Sequence, residues 1–270
     1  ILFLNMNLSI VIPVYNSSDI LEKLIERINL SLNQNNFEKK FEIILVNDSS
    51  LDNSWYKIKT LSNKFSNVKG LNLIKNYGQH NAIMAGLNEC LGDKIITMDD
   101  DLQHPPESIK DIYDELEKGY DSCYTYYVNR QHHLIKRFIS WINNLVSSYL
   151  LNKPFKIYLS SFRGFKRNIL LEVIKYKKPS VYLDGLILAT TRNISMITVP
   201  HQKRFQGDSN YSFTKLFSLW FDMAINFPVY PLRFATLFGL IIKYLILIYR
   251  KFFISREIKK SQYSIKEKTY

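Results

Sequence analysis

The first half of the chain alternates short apolar runs with amphipathic stretches, and this alternation limits the fold more than any other sequence feature. The pattern predicts strands over Leu8–Ile12, Phe41–Val46, Val68–Ile74 and Lys94–Met98. It predicts helices between and after them over Asp19–Leu32, Asn53–Phe65, Gln79–Cys90 and from Pro105 to about Gly119. Strands that alternate with helices in this way form a mostly parallel sheet covered on both faces, which is an α/β fold. Ligands bind such sheets at the carboxyl ends of the strands, so the informative residues are those that follow each strand.

The second half of the chain is less regular. It predicts a long helix over His132–Leu151, strands over Ser160–Phe165 and Ile194–Val199, and an amphipathic helix over Thr214–Phe227. Asp19 and Glu22 have the spacing of a capping pair for the first helix. We therefore expect an α/β domain over residues 1–230 and a segment of different character over residues 231–270.

Charge and cysteine content narrow the class of protein. Lys and Arg number 36 against 24 acidic residues, a formal charge of +12, which favours a polyanionic partner such as nucleic acid, an anionic membrane or a phosphorylated substrate. The two cysteines, Cys90 and Cys123, have neither disulfide-scaffold nor zinc-site spacing, so a reducing compartment is expected. The apolar start Ile1–Leu4 is too short for a signal peptide and Met6 resembles a natural start, which predicts a cytoplasmic location for most of the chain.

Three consecutive carboxylates, Asp99, Asp100 and Asp101, directly follow the strand predicted over Lys94–Met98. They repel one another at the end of a buried strand unless a cation or solvent relieves them. Asp99 and Asp101 point the same way on an extended segment and Gln103 continues that face, so these oxygen ligands predict a Mg²⁺ or Mn²⁺ site. A solvated acidic turn that caps the next helix is the alternative.

Two further strand ends carry candidate binding residues. Pro13, Tyr15 and Asn16 follow the first strand, and Asp48 follows the second. A Tyr15 ring at the sheet edge can stack on a nucleobase, while the Asp48 carboxylate can accept a hydrogen bond from a base N–H or a ribose hydroxyl. Each motif alone is weak, since such junctions often carry Asp and Ser as helix caps. Their position on the edge that carries Asp99 and Asp101 favours a ligand site.

The chain resembles the inverting family 2 glycosyltransferases of the GT-A fold, and within them the polyprenyl-phosphate branch. The segments that carry this resemblance extend from Leu8 to Arg233, the most specific being Asn76–Ala82, Asp101–Glu107, Ser161–Arg167 and Arg204–Ser212. The family usually has a small residue in place of Asp100 and a lysine in place of Asn210.

The resemblance implies a role for each part of the site. Asp99, Asp101 and Gln103 would hold the metal and the diphosphate of a UDP- or GDP-linked sugar donor. Pro13, Tyr15, Asn16 and Asp48 would bind the nucleoside, and Arg204 would close over the diphosphate from a loop. The partners implied are a polyprenyl phosphate lipid and the cytoplasmic face of the inner membrane, with no nucleic acid; a homo-oligomer is left open.

Basic residues in the second half of the chain indicate the kind of acceptor. Arg130, Lys136, Arg137 and Arg163 lie in the segment expected to cover the donor sugar, and a lipid phosphate needs cations to hold it. That acceptor is already an anion and needs no general base, whereas a hydroxyl acceptor requires one, for which Asp184 is the candidate. A basic helix face exposed to solvent is the alternative for the cations, and a non-catalytic membrane-surface binder is the alternative for the whole chain.

Residues Phe234–Tyr249 are strongly apolar but are interrupted by Lys243 and fall short of the roughly 20 residues that a spanning helix needs. Basic residues follow at Arg250, Lys251, Arg256, Lys259 and Lys260. Together they predict an amphipathic helix that lies in the membrane interface, with a buried core helix as the alternative.

Overall fold

The structure is a computed structural model that describes residues 6–35, 37–128, 144–145, 147–148, 153–179, 181–200 and 230–251. Its sheet has seven strands: β1 (Leu8–Val14), β2 (Phe41–Asn47), β3 (Val68–Asn72), β4 (Lys94–Thr97), β5 (Ser122–Val128), β6 (Arg163–Lys166) and β7 (Ile194–Pro200). Their spatial order is β3-β2-β1-β4-β6-β5-β7. β6 runs antiparallel to β4 and β5, and the other pairs are parallel. The mostly parallel sheet expected from the sequence is confirmed.

Helices cover both faces of this sheet. They are α1 (Leu21–Gln34), α2 (Ser54–Lys64), α3 (Gln79–Asn88), α4 (Ile109–Glu117), α5 (Arg167–Val173) and α6 (Leu183–Thr190). The last described helix is α7 (Tyr230–Tyr249). A short 3₁₀ turn at Pro106–Ser108 leads into α4. Apolar side chains of α1, α2 and α4 pack on one face, and those of α3, α5 and α6 pack on the other. The strands are therefore apolar on both sides, which is why they read as continuous apolar runs.

The first strand continues through Pro13, although the sequence predicts that it stops there. The Val11 carbonyl accepts the Met98 N–H on the β4 side, and the Val14 carbonyl accepts the Asp48 N–H on the β2 side. Alternation along the strand directs the Pro13 nitrogen toward β4. Pairing between β1 and β4 ends at Val11 and Thr97, so the missing N–H interrupts no ladder.

Other differences from the sequence prediction have local causes. Asp19 and Glu22 do not form a capping pair, because α1 begins at Leu21 without a side-chain cap. Glu22 instead forms ion pairs with Lys57 and Lys64 on α2. The strand β5 and the helices α5 and α6 were not predicted.

Two predicted helices fall largely or wholly outside the described residues. Of His132–Leu151 the structure describes only the helical pairs 144–145 and 147–148, and Thr214–Phe227 lies outside altogether. The apolar segment predicted over Phe234–Tyr249 belongs to α7, which starts four residues earlier, at Tyr230. Among the described helices, none has both the length and the apolar character to cross a bilayer. The proposed domain boundary at residues 230–231 stays a prediction.

Gly86 allows α3 to approach the sheet closely enough to position the start of the helix. A Cβ at this position would lie 2.5 Å from Cγ1 of Val11 and 3.0 Å from Cγ2 of Val46. Both valines are fully buried in the strands below, so neither has free space to move into. The absence of a side chain at residue 86 therefore fixes the distance between α3 and the sheet.

We expect Gly86→Ala to lower the free energy of unfolding by about 1–3 kcal/mol, because overpacking forces the helix away from β1 and β2. Helix propensity alone predicts the opposite sign, a gain of about 1 kcal/mol. Gly239→Ala in α7 is the matched control, since a Cβ there meets nothing within 4 Å. Chemical denaturation measures both, and a stabilised Gly86→Ala variant would contradict the packing argument.

Candidate active site

A cleft of about 300 Å³ opens at the carboxyl edge of the sheet, where β1, β2 and β4 end and α3 begins. The residues that line it are Pro13, Val14, Tyr15, Asp48, Asn76, Gly78, Gln79, Asp99, Asp100 and Asp101. Five residues predicted from the sequence to bind a ligand therefore meet in one cavity. Asn16 and Gln103 are not among the lining residues.

The backbone turns sharply after each strand that feeds the cleft. Asn16, Ser49 and Leu102 have φ values of 54°, 56° and 59°, in the left-handed region that non-glycine residues rarely adopt. Each directly follows a lining residue: Tyr15, Asp48 or Asp101. Strained backbone of this kind persists where the surrounding structure fixes it, and it concentrates at functional sites.

The β1 loop presents Tyr15 and anchors Asn16. The Tyr15 side chain is 49% exposed and forms one wall of the cleft, so its ring is available for stacking. Asn16 faces the β2 loop instead: its amide N–H donates to Ser50 Oγ and its side-chain Oδ1 accepts the Leu51 N–H at 2.8 Å. Asn16 therefore holds two loops together rather than lining the cavity.

Asp48 has structural partners that the sequence did not reveal. Its Oδ1 accepts the Tyr77 N–H at 2.8 Å and its Oδ2 accepts the Gly78 N–H at 2.9 Å. These bonds fix the loop that precedes α3, where Gly78 has a φ of 85°. Each oxygen keeps a second lone pair, and Asp48 still lines the cleft, so a role in nucleoside binding is compatible with this arrangement.

The donor set for a cation consists of Asp99 and Asp101. Both carboxylates line the cleft, and Asp101 Oδ1 also accepts the Gln103 backbone N–H at 3.0 Å. Mg²⁺ is commonly held by one or two carboxylates together with water and substrate phosphates, so this pair fits the ion. Within the part of the chain that the structure describes, no three His, Cys, Asp or Glu side chains form a closed metal site. Gln103, water and a diphosphate would have to complete the coordination.

Asp100, the carboxylate between this pair, ties the β4 loop to the β1 loop. Its Oδ2 accepts the Ser17 hydroxyl at 2.6 Å and the Tyr15 N–H at 3.3 Å. Burial raises the pKa of the Asp100 carboxyl to about 6, against the effect of these two hydrogen bonds. Asp100, where the family usually has a small residue, therefore positions Tyr15 beside Asp99 and Asp101.

Four residues around Asp99 were not assigned a role from the sequence. Asn76, in the loop before α3, and Gln79, the first residue of α3, line the cleft, and Gln79 Nε2 donates to Asp99 Oδ1 at 2.6 Å. Ser161 Oγ donates to Asp99 Oδ2 at 2.7 Å, and the Asp99 N–H donates to His104 Nδ1 at 2.9 Å. Asn76 and Gln79 follow β3, so the rule that ligands bind at the carboxyl ends of the strands would have predicted them as well. Ser161 and His104 lie in two of the segments that resemble the family, but their contacts with Asp99 depend on the antiparallel insertion of β6 and on ring packing.

Arg163 lies in a different environment from the one predicted. The sequence places it on an acceptor phosphate, but in the structure it is a β6 residue that is 1% exposed and donates to Asp184 Oδ1. Asp184, at the start of α6, is 7% exposed, and the same oxygen accepts the Tyr124 hydroxyl at 3.0 Å. The two charges therefore compensate each other in the interior, behind the sheet edge.

Burial and the charge of Asp184 shift the pKa values of Arg163 and Tyr124 in this cluster. Burial by itself would lower the pKa of the Arg163 guanidinium, but the Asp184 carboxylate outweighs burial and the pKa is raised. Burial and the charge of Asp184 raise the pKa of the Tyr124 hydroxyl well above its usual value, so it remains a donor. Asp184 is thus engaged in holding α6 against β5 and β6. Its carboxylate is therefore occupied by protein partners and largely buried.

The other predicted cations, Arg130, Lys136, Arg137 and Arg204, lie outside the described residues. Their assignment to the acceptor phosphate and to the donor diphosphate stays a prediction.

Comparison with known proteins places the chain among sugar transferases. The family model for glycosyl transferase family 2 matches residues 9–174. The chain is 37% identical over 235 residues to an undecaprenyl-phosphate 4-deoxy-4-formamido-L-arabinose transferase of Yersinia enterocolitica, covering 87% of this chain and 71% of that protein. The protein of the same name from Shewanella sediminis is 36% identical over 253 residues, covering 89% of this chain and 76% of that protein.

Solved structures support the fold. Glucosyl-3-phosphoglycerate synthase from Mycobacterium tuberculosis, crystallised with Mn²⁺, UDP and phosphoglyceric acid, has a TM-score of 0.59 at 14% identity, covering 80% of this chain and 75% of that chain. A crystal structure of residues 1–349 of S. aureus TarS has a TM-score of 0.52 at 20% identity, covering 71% of this chain and 58% of that chain, somewhat less than two thirds. At such identities the likeness concerns the fold alone, and it confirms the GT-A arrangement expected from the sequence.

We expect Asp184→Asn to lower the free energy of unfolding by about 3–5 kcal/mol, because the buried Arg163 charge loses its partner. Urea denaturation of the wild type and the variant measures the difference. The double variant Arg163→Met/Asp184→Leu is the matched control: it removes both charges and should recover most of the loss. An Asp184→Asn variant that unfolds like the wild type but has lost sugar transfer would instead identify Asp184 as a base for a hydroxyl acceptor.

Proposed function

Because the chain belongs to glycosyl transferase family 2, we propose that it transfers a sugar from a nucleoside diphosphate sugar to undecaprenyl phosphate. The observation that carries this proposal is the similarity to undecaprenyl-phosphate sugar transferases at 36–37% identity over most of both chains. The cleft at the carboxyl edge of the sheet offers a site for the donor, and the basic segments offer cations for a phosphate acceptor.

The donor would occupy the cleft with its nucleoside over the β1 and β2 ends. Tyr15 would stack on the base and Asp48 would accept a hydrogen bond from the base or the ribose, with Pro13 beneath them. The diphosphate would lie at the β4 end, where Asp99, Asp101 and Gln103 would hold Mg²⁺ or Mn²⁺. A bound divalent ion supplies charge stabilisation for the diphosphate as it leaves.

Attack by the lipid phosphate requires no general base, because the attacking phosphate is already an anion. An oxygen of the lipid phosphate attacks the anomeric carbon from the face opposite the diphosphate; the sugar–diphosphate bond breaks, and the nucleoside diphosphate departs with its electron pair. The products are a lipid-linked sugar phosphate and a nucleoside diphosphate, with inversion at the anomeric carbon. Burial of Asp184 against Arg163 supports this acceptor over a hydroxyl, which would need a carboxylate base at the reacting atoms.

Cations would hold the lipid phosphate during the attack. Arg130, Lys136 and Arg137 are the candidates, since Arg163 is paired with Asp184. An arginine forms bidentate, charge-assisted hydrogen bonds with phosphate, each worth about 1.5–3 kcal/mol. Such residues position the acceptor and neutralise charge between it and the donor.

Helix α7 and the basic residues after it would bring the cleft to the cytoplasmic face of the membrane. Leu240, Ile241 and Leu245 are 50–59% exposed on this helix. Arg250 and Lys251 follow at its end, where they can contact anionic lipid headgroups. Apolar area and basic flank together favour a helix lying in the interface.

The proposed reaction is tested by incubating the full chain with undecaprenyl phosphate, Mn²⁺ and a panel of UDP- and GDP-linked sugars. The panel includes the 4-deoxy-4-formamido-L-arabinose sugar for which the relatives are named. We expect mass spectrometry to detect a lipid-linked sugar phosphate. Asp101→Asn should abolish its formation while the protein stays folded, because the site loses a charged ligand but little volume. Asp114→Asn, a carboxylate on α4 paired with Lys110, is the matched control and should transfer normally.

Transfer of the sugar only to a glycan hydroxyl would overturn the assignment of the acceptor. Undiminished transfer by Asp101→Asn would overturn the assignment of the cation site.

We expect deletion of residues 234–270 to release the protein from anionic vesicles, because the apolar helix face and the basic flank are removed together. Co-sedimentation with vesicles of phosphatidylglycerol and phosphatidylethanolamine measures the bound fraction. Circular dichroism checks that the truncated protein remains folded. A truncated protein that still sediments with the vesicles would place the membrane contact elsewhere in the chain.

A further inference from the structure

The two oxygens of the Asp99 carboxylate face different surroundings. Oδ1 accepts the Gln79 side-chain amide at 2.6 Å, and Gln79 lines the cleft. Oδ2 accepts the Ser161 hydroxyl at 2.7 Å, and Ser161 is not among the lining residues. One oxygen is therefore on the cavity side of the carboxylate and the other is on the protein side.

Hydrogen bonds and ring packing surround the protein side of the carboxylate. The Ser161 carbonyl accepts the Thr97 hydroxyl at 2.8 Å, which ties the residue to the end of β4. His104 lies behind it, 5% exposed, with its ring stacked on Phe162 at a centroid distance of 5.1 Å. Its Nδ1 accepts the Asp99 N–H, so a neutral ring carries its hydrogen on Nε2, 3.5 Å from Ser161 Oγ. The serine hydroxyl is thereby held between the histidine and the carboxylate.

We propose that Ser161 is a positioning residue, which holds the Asp99 carboxylate so that Oδ1 faces the cleft for a divalent cation. The inference rests on the proposed function, in which Asp99 and Asp101 hold that cation. The terminal torsion of an aspartate is broad, so a carboxylate without a fixed partner samples orientations that do not present an oxygen to the ion. Loss of a group that orients a metal ligand typically weakens metal affinity about 10–100-fold.

Gln79 makes a bond of similar length to the same carboxylate but should have the opposite effect. Its amide N–H occupies Oδ1 on the cleft side, where it competes with a cation for the same oxygen. Removing it should leave cation affinity unchanged or increase it. The two substitutions therefore form a matched pair: each deletes one hydrogen bond of Asp99, from opposite sides.

The test is a Mn²⁺ titration of the full chain by electron paramagnetic resonance, with UDP and, separately, GDP present. We expect Ser161→Ala to raise the dissociation constant for Mn²⁺ about 10-fold or more. Ser161→Thr keeps the hydroxyl and should bind within about threefold of the wild type, and Gln79→Ala should bind no more weakly than the wild type. In transfer assays, Ser161→Ala should raise the Mn²⁺ concentration for half-maximal rate, while kcat at saturating Mn²⁺ is largely retained. Thermal unfolding without metal should be similar for all variants.

Two results would overturn the inference alone: wild-type Mn²⁺ affinity in Ser161→Ala, or equal weakening in Ser161→Ala and Gln79→Ala. The first of these results, accompanied by a lower unfolding temperature of Ser161→Ala, would show that Ser161 has a purely structural role. Absence of Mn²⁺ binding by the wild type would overturn the cation assignment of the proposed function, and this inference with it. Asp101→Asn, expected to lose Mn²⁺ binding, is the benchmark that separates these cases.

Discussion

Repulsion among three consecutive carboxylates at the end of a buried strand is the constraint around which the cleft is built. Each carboxylate is relieved by a different part of the chain: Asp99 by donors from α3 and from the residues just before β6, Asp100 by the β1 loop, and Asp101 by the backbone that follows it. Carboxylates this close remain charged only when hydrogen bonds or a cation offset their repulsion. Relieving them brings α3, the residues before β6 and the β1 loop to the end of β4, and α3 and the β1 loop line the cavity there.

The architecture was largely predictable because the strands are buried on both faces. Their apolar runs are separated by helices with clear apolar faces, and these patterns indicate an α/β sheet wherever the chain is regular. The part that escaped prediction depends on tertiary structure. The strand β6 joins the sheet antiparallel between β4 and β5, and neither periodicity nor composition indicates which strands it will separate. The sequence places the end of β1 too early, at Pro13. A proline is acceptable in this strand because the pairing between β1 and β4 ends at Val11 and Thr97, and that end is a property of the sheet.

The candidate site was predictable where one rule applied, that ligands meet the carboxyl ends of parallel strands. That rule brought Tyr15, Asp48, Asp99 and Asp101 to one cleft. It could not foresee that Arg163 and Asp184, each a plausible catalytic residue in the sequence, neutralise each other in the interior. Charge identifies a residue that needs a partner, whereas the fold decides whether that partner is a substrate or another side chain.

The late arrival of β6 has a consequence for synthesis of the protein. β6 and Ser161 lie well beyond β4 in the chain, and Ser161 follows Asp99 by 62 residues. At ribosomal rates of about 5–20 residues per second, roughly 3–12 seconds separate their emergence. During that interval one edge of β4 has no neighbouring strand, a state that favours wrong pairing with other chains. In a chain stalled on the ribosome before β6 emerges, this edge of β4 stays unpaired and Asp99 lacks its Ser161 partner.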